Sequence, residues 1–76
     1  MMIEGRVAVV LVYSTSHAVR AEQLLYRAGI ASKMVPVPRH LSSNCGTCLQ
    51  IERADVDKAR QVLEAAHVEI EGIYEI

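Results

Sequence analysis

The chain has 76 residues, of which 51% are hydrophobic and 22% charged, with 8 basic and 9 acidic side chains and a formal net charge of -1. That length holds one small domain, expected over residues 1–76, and leaves no room for a second. The balanced charge argues against the clustered positive face that a phosphate backbone demands, so no nucleic-acid partner is expected.

Without Trp or Phe the core must be aliphatic. Val7 to Val12 is apolar and β-branched on both alternating sets, as in a central strand, β1. The run is far shorter than the roughly 20 residues of a membrane span, so no membrane association is expected. Ser14-Thr15-Ser16 then supplies three candidate N-caps for a helix, α1, whose apolar residues Ala18, Ala21, Leu24, Leu25 and Ala28 fall at helical spacing and which ends at Gly29. Ile30 to Val37 reads as an extended stretch, β2, and Pro36 and Pro38 confine it to an edge.

After a polar segment, Thr47 to Glu52 alternates Thr47, Leu49 and Ile51 against Cys48, Gln50 and Glu52, which predicts a half-buried strand, β3, with Cys48 on the face away from the helices. Asp55 is positioned to cap a second helix, α2, with Val56, Ala59, Val62, Leu63 and Ala66 as its buried stripe. Val68 to Ile76 closes the chain as β4. Its alternation sets Val68, Ile70, Gly72, Tyr74 and Ile76 against Glu69, Glu71, Ile73 and Glu75. The order is βαββαβ, which predicts an α+β ferredoxin-like plait: a four-stranded antiparallel sheet in the order 4-1-3-2 with both helices on one face.

In that topology the β1–α1 turn and the loop between β2 and β3 share one end of the sheet, and His67 lies at that end toward the opposite edge. Cys45 stands in a Ser-rich loop before Gly46, where the backbone can turn tightly and expose a side chain. The start of α1 offers unpaired amides and partial positive charge, and His17, with Arg39 or His40 from the loop, adds to the field. Such surroundings lower a thiol pKa and make the thiolate available. A loop cysteine of ordinary reactivity is the plainer reading, and a solvated helix-end His17 and a solvated loop Arg39 are its counterparts.

Cys45-Gly46-Thr47-Cys48 has the spacing of a thioredoxin motif, but a strand pattern follows it instead of a helix. If extended, those Cα atoms are about 10 Å apart, beyond the roughly 7 Å reach of a disulfide. Cys48 is then either a small strand residue or a resolving thiol. Two cysteines so close are no disulfide framework, which places the chain in the cytoplasm. Metal-carrying plaits hold their CxxC in the β1–α1 loop, which here reads Ser14-Thr15-Ser16-His17, so no metal site is expected. No phosphate-binding loop is visible, and no cofactor is expected.

Several motifs together resemble the Se/S carrier protein-like family, a small bacterial and archaeal family of unknown function. They are Tyr13-Ser14-Thr15-Ser16-His17-Ala18, Ala21-Glu22, Leu24-Leu25, Ala28-Gly29-Ile30, Val35-Pro36-Val37-Pro38-Arg39, Ser42-Ser43-Asn44-Cys45-Gly46 and Glu71-Gly72-Ile73-Tyr74. The similarity covers nearly the whole chain, and the loop signature ending in Cys45-Gly46 is its most specific part. It implies a thiol carrier whose reactive residue is Cys45. The position of Cys48 is often a small residue such as Ala in that pattern, which makes Cys48 dispensable to a shared chemistry.

The leading expectation is a carrier, not a stand-alone enzyme, that takes sulfur or selenium on Cys45 from a donor protein and passes it to an acceptor protein. Ser14, Thr15, His17, Arg39 and Gly46 surround that nucleophile, with Cys48 as the candidate resolving thiol. Two rivals remain. One is a non-catalytic module that homodimerises through its sheet or an edge strand, with Ala8, Val10, Val12 and Ile73 as candidates for an exposed apolar face; the other is a Cys45/Cys48 redox protein.

Overall fold

The computed structural model describes residues 7–41 and 46–76. Its elements are β1 (Val7–Val12), α1 (Thr15–Arg27), β2 (Ser32–Pro36), β3 (Thr47–Glu52), a 3-10 turn (Arg53–Asp55), α2 (Val56–Ala65) and β4 (Ile70–Glu75). The four strands form one antiparallel sheet ordered β2-β3-β1-β4, the expected 4-1-3-2 order seen from the other edge.

Both helices cover one face. Ala8, Val10 and Val12 of β1 and Leu49 and Ile51 of β3 form a buried core with Ala18, Ala21 and Leu25 of α1 and Ala59 and Leu63 of α2. Small alanines on each helix let the backbones lie close to the sheet, while the leucines fill the space between. The expected exposed set of Ala8, Val10, Val12 and Ile73 is thereby corrected: these side chains face the helices, and Val9 and Leu11 point the other way. That second face is not bare. Val9, Leu11 and Cys48 are buried there, packed by Val35, Val37, Leu41 and Ile76, so the chain leaving β2 returns over the sheet.

Both helices stop in the same way. After α1 the Gly29 amide donates to the Tyr26 carbonyl (3.0 Å) and the Ile30 amide to the Leu25 carbonyl (2.9 Å), with Gly29 at φ 81°. After α2 the His67 amide donates to Glu64 (3.0 Å) and the Val68 amide to Leu63 (3.0 Å), with His67 itself at φ 59°. These are paired Schellman closures, in which the left-handed residue lets two orphan carbonyls find donors and drops the next apolar residue, Ile30 or Val68, into the core.

Two local expectations change. Asp55 stands at the N-cap position of α2, but its side chain makes no capping hydrogen bond: its backbone (φ -96°, ψ 3°), at the end of the 3-10 turn, lacks the extended conformation of a capping residue. In β4 the simple alternation fails: Leu11 faces Gly72, but Val12 faces Ile70, a bulge that leaves Glu71 as the extra residue. Ile70 and Ile73 consequently both reach the helix-side core. Gly72 lies under the Tyr74 ring, where an added Cβ would stand 2.9 Å from a ring carbon.

Candidate functional site

β1 ends where α1 begins, and Ser14 makes the joint. Its backbone is extended (φ -157°, ψ 167°) and its hydroxyl accepts a hydrogen bond from the His17 amide at 3.2 Å, so Ser14, among the three candidates, is the N-cap. The Ser14 carbonyl accepts the Ala18 amide at 3.1 Å. The same hydroxyl lies 2.7 Å from His17 Nδ1. Tyr13 meets the imidazole edge to face, with ring centres 6.3 Å apart. His17 is therefore held from two sides while remaining partly exposed.

The first turn of α1 carries no acidic side chain, so the positive end of its dipole is not offset locally. Thr15 and Ser16 are exposed, and with Val19, Arg20 and Gln23 they line a shallow depression along the helix. A second groove, between the last turns of α1 and the start of β2, is lined by Tyr26, Arg27, Ile30 and Ser32. It lies at the other end of the fold.

β3 reaches the same end as Ser14. Leu11 pairs with Cys48, so Thr47 and Gly46 continue beside the last residues of β1. Gly46 is exposed at φ 75°, a left-handed conformation that glycine adopts without strain, and its carbonyl accepts the Val37 amide at 3.2 Å. On the other side of the loop the Leu41 amide donates to the Pro38 carbonyl at 3.0 Å, with Arg39 and His40 exposed at the turn. Cys45 lies outside the described residues, together with Ser42, Ser43 and Asn44. His67 occupies the α2–β4 turn, at the sheet end where Val12 pairs with Ile70.

Cys48 is in a different environment. It has no solvent exposure, packs with Val9 and Leu11, and its Sγ lies 3.8 Å from the Pro36 carbonyl. It is more deeply buried than the alternation of β3 predicts, because Val35, Val37 and Leu41 close the face that alternation alone leaves open. Buried thiols in apolar surroundings are chemically inert.

Tyr13 is the site residue that spacing alone missed. Its signal was its place between the last strand residue and the N-cap, where a side chain must flank the first helical turn. Among the described residues no cluster of three His, Cys, Asp or Glu side chains is arranged to hold a metal ion, and no helix is long and apolar enough to cross a membrane.

The family model described as Putative Se/S carrier protein-like matches residues 8–75. Neither the curated proteins nor the solved structures contain a match to the chain.

Proposed function

The chain belongs to the Se/S carrier protein-like family, and on that footing we propose that it is a small cytoplasmic carrier holding sulfur or selenium on Cys45 for transfer between partner proteins. The observation that supports this reading is that Gly46, the residue after Cys45, and the start of α1 lie at the same end of the sheet. The first-turn amides at Thr15 and Ser16, together with His17, supply hydrogen-bond donors of the kind that favour a thiolate or a persulfide anion. Arg39, exposed in the same loop, adds a cation.

Loading follows from thiolate chemistry. The Cys45 thiolate attacks the outer sulfur of a donor persulfide, a new S–S bond forms at Cys45 Sγ, and the donor's own S–S bond breaks. The electron pair leaves with the donor as its thiolate. Delivery is the same displacement with the acceptor's nucleophile, so a carrier needs no redox cofactor and no second cysteine. Selenium would replace the outer sulfur atom for atom. The burial of Cys48 speaks against the Cys45/Cys48 redox alternative, since a resolving thiol must be reachable.

Incubation of the protein with a cysteine desulfurase and cysteine, followed by intact mass measurement, tests the proposal. The expected result is a gain of one sulfur that disappears in Cys45→Ser; no Cys45-dependent adduct would sink it. If the chain is instead an interaction module, Cys45→Ser leaves partner binding intact.

A further inference from the structure

The Ser14 hydroxyl has one hydrogen to give, and two groups of His17 lie around its oxygen. One is the His17 backbone N–H, which donates to it at 3.2 Å; the other is Nδ1 at 2.7 Å. If Nδ1 also carried a proton, the oxygen's two lone pairs would take both donors and the hydroxyl hydrogen would be left to solvent, whereas the 2.7 Å separation is the shorter one of a hydroxyl donor. If Nδ1 is bare, the hydroxyl accepts from the amide, donates to the ring, and each group is used once. The neutral ring then carries its proton on Nε2, which has no hydrogen-bond partner among the described residues. The Tyr13 ring, edge to face against the imidazole, limits its rotation.

Resting on the carrier reading of Cys45, we infer that Ser14 is a positioning residue whose hydroxyl holds the neutral His17 ring in the Nε2–H form, so that His17 offers sulfur anions a hydrogen-bond donor and not a basic nitrogen. Capping and tautomer selection are thereby joined in one oxygen. The role calls for a hydroxyl at this position and not merely a good cap. Threonine retains both functions. Glycine caps nearly as well without a side chain, and aspartate caps but has no hydrogen to donate to Nδ1.

The test uses the full chain, labelled with nitrogen-15, at a pH where the ring spectrum itself shows the neutral form. Two-bond proton–nitrogen correlation reads which ring nitrogen of His17 is protonated, the signal being assigned by its loss in His17→Gln. The wild type and Ser14→Thr are expected to show Nε2–H, Ser14→Asp to move the proton to Nδ1, and Ser14→Gly to show a mixture. In parallel, sulfur loading from desulfurase and cysteine is timed by intact mass. Ser14→Gly should load more slowly, by up to about threefold, in step with the share of rings whose proton has moved to Nδ1, with Ser14→Thr matching the wild type.

A proton on Nδ1 in the wild type, or undiminished loading in Ser14→Gly, overturns the positioning role while leaving Cys45 as carrier. Failure of the wild type to take up sulfur on Cys45 overturns the carrier reading and the role together, whatever the ring spectrum shows.

Discussion

Replacing His67 by glycine is expected to stabilise the fold. His67 holds φ 59° at the closure of α2 and is exposed, with no side-chain hydrogen bond in the described structure, so the substitution removes no bond. A left-handed backbone costs an L-residue roughly 1–2 kcal/mol, and histidine, which visits that region more often than most, falls at the lower end. Against this, glycine gains about 0.5–1 kcal/mol of freedom in the unfolded chain. The net is about 0–0.5 kcal/mol in favour of His67→Gly, or up to roughly 4 °C in Tm for a domain of this size. Gly29 supplies the opposite experiment. It occupies the matching position after α1 at φ 81°, with open space where a Cβ would go, so Gly29→Ala adds strain without a clash and should cost about 1 kcal/mol. Urea unfolding followed by circular dichroism, with an unchanged slope, measures both. A destabilised His67→Gly, or a neutral Gly29→Ala, would refute the assignment of these two positions as equivalent closures.

Leu25→Ala removes a fully buried side chain at the α1–sheet contact and should cost about 2–5 kcal/mol, which in so small a chain is expected to leave a large unfolded fraction visible by circular dichroism at 37 °C. Cys48, having no exposure, should resist alkylation in native buffer and react only in denaturant; rapid native labelling at Cys48, located by peptide mass, would contradict its burial. Arg53 joins Glu75 at 3.4 Å and donates to the Ile76 carbonyl at 3.2 Å, but both side chains are exposed, so Arg53→Ala should lower stability by less than about 1 kcal/mol in urea titration.

Strand and helix identities were legible where one face decides the matter. The apolar period of α1, Gly29 as its stop and the alternation of β3 all depend on local chemistry, and each appears in the folded chain. What escaped depends on partners distant in sequence. The bulge at Glu71 arises from pairing with β1, and no feature of β4 alone announces that Ile70 and Ile73 share a face. His67 at positive φ carries no glycine to mark it. Val37 reads as the end of β2 and Leu41 as a loop residue until their packing over Val9 and Leu11 is seen. At the site, three hydroxyl residues in a row made equal claims as cap, and only the backbone of Ser14 separated them. Cys45 stood out from its loop composition and from the family resemblance, and it lies outside the described residues.

The strand order carries a consequence for how the chain can come apart. Residues up to the β2–β3 loop contribute β1 and β2, which do not touch as strands, because β3 lies between them; the remainder contributes β3 and β4, separated by β1. Each half is thus a comb with one tooth missing, and the missing tooth belongs to the other half. Neither half closes a sheet alone, so β1 and β3 are released together or not at all. Their amides should exchange with solvent only through global opening, while the outer edges of β2 and β4 exchange through smaller local fluctuations.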